Sequence, residues 1–368
     1  MLVDGSGVSL EAMVDDLRLL VEVESPSSNR DALKSSAAAV AALIERRTGR
    51  PARLVDGPAG PHVHWSGGGE PRVLILGHHD TVFPLGTLDR RPFAVVDGRA
   101  TGPGVFDMKA GIVQAVHAVA AVTDASHVEI LITCDEEIGS GSSRALLEER
   151  AVACGAVLVL EPSADGGALK SGRKGTGTFE VVVHGRAAHA GLEPHLGVNS
   201  LVEAARQIQY IATLGDVAAG TTVTPTVVAG GTADNVVPAE TRVKVDVRVT
   251  SAHERERIEV AMRSLAPVDA AASIEVLGAI GRPPMPESAA ATLLPVALEH
   301  DPTLRAVAVG GASDGNFTAA LGVPTLDGLG AVGGGAHAEH EHVLVDTMPG
   351  RVALLAALIA SRDAAGRD

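Results

Sequence analysis

Short apolar runs in this chain repeatedly end on imidazoles or carboxylates. Arg72-Val-Leu-Ile-Leu-Gly77 leads into His78-His-Asp80. Val128-Glu-Ile-Leu-Ile-Thr133 leads into Asp135-Glu-Glu137, and Ala156-Val-Leu-Val-Leu160 into Glu161. Asp107 ends the loop that begins at Thr101, just before a helical stretch, and His337 follows Gly333-Gly-Gly335. Imidazoles and carboxylates without thiolates are the ligand set of a hydrolytic zinc centre. Each residue also has an ordinary explanation. His78 fits a loop histidine, Asp107 a helix N-cap, Asp135 to Glu137 a helix start, and Glu161 an exposed strand end. Five strand-end or loop positions that all carry metal-compatible donors are harder to explain that way.

The elements that must position these residues follow from hydrophobic periodicity. Ser9 to Val23 has helical spacing, and Asn29 to Thr48 reads as a second helix stopped by Gly49. The three apolar runs read as buried strands, and Met108 to Val122 and Ser142 to Arg150 as helices between them. This alternation predicts an α/β fold, a mainly parallel mixed sheet with helices on both faces. Sites in such sheets form at the carboxyl ends of the strands. After Gly175 the texture changes. Thr178 to His184, Thr221 to Val228, Thr241 to Val249 and Ser273 to Leu277 read as strands; Gly197 to Leu214 and His253 to Leu265 read as helices. Strand–helix–strand–strand–helix–strand is the split ferredoxin-like order. Gly281 to Pro286 reads as an exit linker. The expected organisation is a catalytic domain, residues 1–175 and 285–368, interrupted by an inserted α+β domain, residues 176–284.

The motifs resemble those of the dinuclear-zinc exopeptidases and deacylases, a family that includes glutamate carboxypeptidase, acetylornithine deacetylase, succinyl-diaminopimelate desuccinylase and aminoacylase. The strings are Gly77-His-His-Asp-Thr81, Gly102-Pro-Gly-Val-Phe-Asp-Met-Lys-Ala-Gly111, Asp135-Glu-Glu-Ile-Gly139 and Glu161-Pro162. The insertion adds Gly185-Arg-Ala-Ala-His-Ala-Gly191, Gly197-Val-Asn199, Asn235-Val-Val-Pro238 and Asp246-Val-Arg248; Gly310-Gly-Ala-Ser-Asp314 and His337 follow. They occur in the family order and span most of the chain.

The resemblance implies roles. Asp107 bridges two zinc ions, which cobalt or manganese could replace. His78 and Glu161 complete one site, and Glu137 and His337 the other. Asp80 orients the His78 imidazole. Glu136 is the general base, acting on water shared by the two metals. His189 of the insertion, a dimerisation or lid domain, reaches the partner's site in a homodimer and donates to the oxyanion. Asn235 and Arg248 bind the substrate carboxylate, and Arg282 resembles a residue that contacts a glutamate side chain. The expected activity is hydrolysis of an amide that releases an amino acid, a C-terminal glutamate first. N-acyl-amino-acid deacylation is the second choice, and a relative that only binds ligand the third. His184, His195, His340 and His342 have no such support.

Composition limits the rest. The chain has 368 residues, with 30 Lys and Arg against 45 Asp and Glu, so 30 − 45 gives a formal charge of −15. That balance argues against nucleic acid as a partner. Aromatics are 2%, too few for stacking platforms. Cys134 and Cys154 sit in or beside apolar runs and read as buried free thiols. No apolar run reaches membrane-spanning length. Residues 1 to 10 lack a basic segment followed by an apolar stretch, so no signal peptide is expected and a cytoplasmic setting is the default.

Overall fold

The computed structural model describes residues 9–364. Of the N-terminal segment read for a signal peptide, residues 1–8 lie outside them. The chain divides into two compact units. The first comprises residues up to 172 with Pro286–Val309 and the stretch from Ser313 onward; the second comprises Arg173–Met285 with Gly310–Ala312.

The first unit is built on a six-stranded sheet. In spatial order its strands are Arg53–Asp56, Pro61–Ser66, Val128–Thr133, Val73–His78, Val157–Val159 and Thr325–Leu326. The last four run parallel; the first two are antiparallel additions at one edge. The sheet is thus mixed and mostly parallel, as the α/β alternation requires. The apolar runs are fully buried because both faces are covered. Val73 and Ile75 face the helices Leu10–Val21, Arg30–Thr48, Ala110–Ala121 and Met348–Ala364. Leu74 and Leu76 face Arg144–Cys154 and Gly315–Ala320 on the other side. The helix Arg30–Thr48 shows why its ends fall where they do. The Asn29 side chain accepts from Ala32 N at 3.0 Å, and Gly49 closes the helix at φ 72°. Trp65 lies in the main core at 2% exposure.

One predicted helix begins later than its hydrophobic pattern suggests. The one expected from Met108 starts at Ala110, because Asp107 (φ −114°, ψ 95°) and Met108 (φ −131°, ψ 34°) leave helical space. After the second unit the chain forms a single 3₁₀ turn, Glu287–Ala290, followed by the helix Leu294–His300. A four-stranded antiparallel sheet went unread: Gly333–Gly334, His342–Leu344, Arg99–Thr101 and Ala94–Val96.

The second unit has strands Gly175–His184, Thr222–Gly230, Glu240–Val249 and Ser273–Arg282, with helices Ser200–Ala212 and Ala252–Arg263. This is the β-α-β-β-α-β order. All strand pairs are antiparallel, and register places Val243 opposite Val181 and Val245 opposite Phe179. Those side chains pack with Val247, Ile211, Ile258 and Met262 into a core of their own. The last strand runs to Arg282, so the expected linker from Gly281 begins two residues too early. Gly281 and Arg282 are sheet residues, and only Pro283 breaks the ladder. Among the described residues, no helix is long and apolar enough to cross a membrane.

Candidate metal centre

Three neighbouring parallel strands deliver side chains to one edge of the first unit. Val73–His78 ends on His78 itself. Val128–Thr133 is followed by Cys134, Asp135 and a 3₁₀ turn, Glu136–Ile138. Val157–Val159 is followed by Glu161 two residues on. The small antiparallel sheet adds the remaining two residues. It pairs His342 with Thr101 and with Gly334, so the Gly102–Asp107 loop and the His337 loop emerge side by side. His337 sits at φ 63°, a region that costs a non-glycine residue energy and often marks a functional position.

Asp107 stands between two imidazoles. Its Oδ1 is 3.2 Å from His78 Nε2 and its Oδ2 is 3.2 Å from His337 Nε2. Glu161 Oε1 is 3.6 Å from His78 Nε2, and Glu137 Oε2 is 3.1 Å from His337 Nε2. The donor atoms of His78, Asp107 and Glu137 all lie within 4.8 Å of one another, and so do those of His78, Glu136 and Glu161. All six residues expected around two ions, Glu136 included, therefore gather in one place.

The electrostatics show what this cluster lacks by itself. Burial would push the His78 imidazole down, yet contacts to Asp107, Asp80 and Glu161 hold it well above its ordinary value. His337 is raised to about 10 by Asp107 and Glu137. For Asp107, burial acts upward, but the two histidines pull its carboxyl well below the usual range. Burial raises Glu137, with the charge of Asp107 adding to it. The carboxylates thus hold positive charge on imidazoles that would need to be neutral to bind metal. Asp107 Oδ1 and Glu137 Oε1 are buried without a hydrogen-bond partner. Buried carboxylate oxygens without donors, in an N/O set without sulfur, fit divalent cations of the zinc, cobalt or manganese type.

The supporting residues differ from the sequence expectation in two respects. His78 Nδ1 is 3.0 Å from the Asp80 backbone carbonyl, and the Asp80 carboxylate stands farther off at 3.4 Å. The carbonyl is the closer acceptor for the ring. The Asp80 carboxylate instead accepts from Glu136 N and Glu137 N, each at 3.2 Å, and from Ser27 Oγ at 2.7 Å. It fixes the turn that carries the acidic pair. The second difference is Glu341, which sequence reasoning passed over. Its Oε2 accepts from Gly104 N at 2.9 Å, and its Oε1 from Phe106 N at 3.0 Å and Asp107 N at 2.9 Å. Burial pushes its carboxyl up to about 7 despite these donors. Its only sequence signal was a carboxylate between His340 and His342.

His189, Asn235, Arg248 and Arg282 all belong to the second unit. His189 is exposed, and its Nδ1 accepts from Gly191 N and Leu192 N, both at 3.1 Å. The neutral ring therefore carries its proton on Nε2, as an outward donor. Asn235 is exposed, and its carbonyl accepts from Ala190 N at 2.8 Å, tying the two loops together. Arg248 is already engaged: its Nε and Nη2 donate to the two oxygens of Asp246 at 3.0 Å each. Arg282 is 9% exposed at the strand end. His184 lies between Glu240 and Glu275, and His195 is exposed.

Comparison with known proteins gives a consistent answer. A profile of peptidase family M20/M25/M40 matches residues 74–361. Carboxypeptidase G2 of Pseudomonas sp. (strain RS-16) is 32% identical over 311 residues, covering 80% of this chain and 74% of its own. A succinyl-diaminopimelate desuccinylase of Acidiphilium cryptum (strain JF-5) is 30% identical over 302 residues, covering 77% and 81%. Two solved structures share the fold. Aminopeptidase PepT from Bacillus cereus ATCC 10987 has a TM-score of 0.76 at 20% identity, over 97% of this chain and 99% of that one. The M20 metallo-carboxypeptidase Sso-CP2 from Sulfolobus solfataricus has a TM-score of 0.70 at 16% identity, over 95% and 98%.

Proposed function

Since the chain belongs to the M20/M25/M40 peptidase family, a family of metal-dependent hydrolases, we propose that it cleaves the amide joining a C-terminal amino acid, glutamate or a close analogue, to a peptidyl or acyl group. The observation that carries the chemistry is Asp107 set between His78 and His337, with Glu136 beside them. The likeness to carboxypeptidase G2 supports the choice of substrate. N-acyl-amino-acid deacylation is the second reading, supported by the nearly equal identity to a desuccinylase.

In this reading His78, Glu161, Asp107, Glu137 and His337 are the residues that would hold two zinc ions, with Asp107 placed to serve both. Bound there, the ions supply Lewis acidity toward the scissile carbonyl and make water a stronger acid. Glu136 takes the proton of the attacking water and passes it to the leaving nitrogen. The Asp80 carboxylate keeps Glu136 and Glu137 in register, so that one serves as base while the other serves as ligand. His189 of the partner subunit in a cytoplasmic homodimer presents Nε2–H to the developing oxyanion. Asn235, Arg248 and Arg282 receive substrate carboxylates. Arg248 must exchange Asp246 for the substrate, and both partners are planar and bidentate.

The test is a panel of peptidyl-glutamates, other peptidyl amino acids and N-acyl amino acids, with zinc or cobalt added and free amino acid measured. Preferential release of glutamate supports the first reading. Preference for acetylated or succinylated amino acids moves the assignment to deacylation. No release from any member of the panel by metal-loaded protein refutes both.

A further inference from the structure

A cavity of about 490 Å³ opens in the first unit between the turn at Gly166 and Gly167, the end of the helix Leu294–His300 and the start of the helix Met348–Ala364. None of the candidate metal ligands lines it. Its volume is that of a small-molecule site. Its walls combine apolar side chains, Leu304, Val332 and Leu354, with two arginines, Arg305 and Arg351.

The arginines are what distinguish it. Arg351 is 4% exposed, yet it makes one hydrogen bond, from Nη2 to the Gly167 carbonyl at 2.7 Å. Its Nη1 is buried with no partner. Burial pushes the group down to about 10, with Asp301 acting against that. A guanidinium removed from water with so few acceptors carries a desolvation cost. Arg305 is exposed and has no ion-pair partner among the described residues. Both flank the same turn: a Cβ added at Gly166 would meet Arg305 Nη2 at 3.0 Å, and one at Gly167 would meet Arg351 Nη2 at 3.8 Å. Arg351 also belongs to the first turn of a 17-residue helix, whose N-terminal dipole favours negative charge. The one opposing group is Asp301, whose Oδ1 is taken by Thr303 N and Oγ1. On a chain of formal charge −15 this is a local reversal of sign.

We propose that this cavity binds a small organic anion, with a terminal phosphate or carboxylate between Arg305 and Arg351 and its carbon body against Leu304, Val332 and Leu354. Both oxyanions accept from guanidinium forks, so the head-group chemistry is shared and the probes separate the two. The wall is continuous with the metal-centre segments: Gly166 lies five residues after Glu161, and Val332 five before His337.

The experiment is titration calorimetry of the metal-loaded protein with inorganic phosphate, glycerol phosphate and succinate, each at matched ionic strength in chloride. Saturable binding of at least one is expected, at a Kd of about 1 mM or tighter. Tighter binding of glycerol phosphate than of succinate makes the ligand a phosphate ester, and the reverse order makes it a carboxylate. Arg305→Ser, a change at an exposed side chain, should weaken binding about tenfold or more. Arg351→Gln should do the same where it folds. Asp301→Asn keeps an oxygen for Thr303 and removes the opposing charge, so it should tighten binding several-fold, which a purely structural role would not produce. The proposal is overturned if no probe saturates by about 20 mM, well past that Kd. It is also overturned if binding ignores Arg305→Ser and Asp301→Asn but falls with His337→Ala, which would place the anion on the metal centre.

Discussion

Glu341 offers the sharpest test of how the centre is held. It contributes no donor atom to the cluster, yet it accepts three backbone N–H groups from the loop that carries Asp107. In Glu341→Gln the amide oxygen can still take Phe106 N and Asp107 N. The amide nitrogen must then face Gly104 N, a donor against a donor. One charge-assisted bond worth about 1.5–3 kcal/mol is lost, two others weaken, and a buried N–H is stranded, so a loss of about 3 kcal/mol is reasonable. At roughly 2.1 cal/mol/K per residue over a first unit of about 250 residues, the unfolding entropy is about 525 cal/mol/K. Dividing about 3 kcal/mol by that entropy gives a fall in Tm of about 6 °C. Because the loop sets the position of Asp107, metal affinity should fall about 10–100-fold, as it does when outer partners of ligands are changed. Calorimetry of the metal-free protein and competition with a chromophoric chelator measure the two effects. If Glu341→Gln leaves both Tm and metal affinity at wild-type values, the three hydrogen bonds do not position the loop and the reasoning is wrong.

Four further outcomes are expected. Glu136→Gln should keep two metal ions while turnover nearly disappears; loss of metal on elemental analysis would show that the roles of Glu136 and Glu137 are exchanged. Asp107→Ala should lose both ions, whereas His78→Ala and His337→Ala should each weaken mainly one; two tightly held ions in Asp107→Ala would end the bridging assignment. His189→Ala and Glu136→Gln chains, each nearly inactive, should on mixing recover roughly a quarter of wild-type activity, since about half of freely exchanging dimers would be mixed, each with one intact site; confirmed exchange without recovery would confine His189 to its own chain. Burial acts to raise the carboxyl of Asp16, but Arg47, His117 and Arg46 outweigh it and hold it below 3.8. Its stabilisation is therefore fully present above about pH 4 and lost as pH falls through the depressed folded value. Asp16→Asn should cost about 1–3 kcal/mol at neutral pH, nearer the lower figure because both arginines are partly exposed. It should also flatten the acid limb of the unfolding curve, and an unchanged limb would contradict the assignment.

The sequence was most legible where a parallel strand is buried on both faces. Such strands must be continuous apolar runs, so their ends stand out, and His78, Asp135 to Glu137 and Glu161 are all visible as polar residues following them. It was least legible where strands are short and lack both a continuous apolar run and an alternating pattern. Pro61–Ser66 contains His62, His64 and Trp65, and Arg99–Thr101 is three residues long; neither has a periodicity to read. The small sheet that sets the His337 loop beside the Asp107 loop is made of such pieces. Its pairing is fixed by contacts distant in sequence, which no local pattern records. Glu341 is hidden for the same reason, since its partners lie more than two hundred residues away. Asp80 was visible as a residue but not in its contact. Spacing from His78 suggests a carboxylate on the ring, whereas the chain turns so that the carbonyl is nearest.

The separation into two units, each with its own apolar core, also bears on how the protein unfolds. Its one tryptophan, Trp65, is buried in the first unit, and its one tyrosine, Tyr210, lies on a helix of the second. Red-edge excited fluorescence therefore watches the first core alone, and absorbance of the half-exposed Tyr210 the helix Ser200–Ala212 of the second unit. Denaturation followed by the two chromophores is a built-in test of cooperativity: coincident transitions mean one folding unit, and displaced ones mean two. A single stability figure drawn from tryptophan emission describes only the unit that would hold the metal.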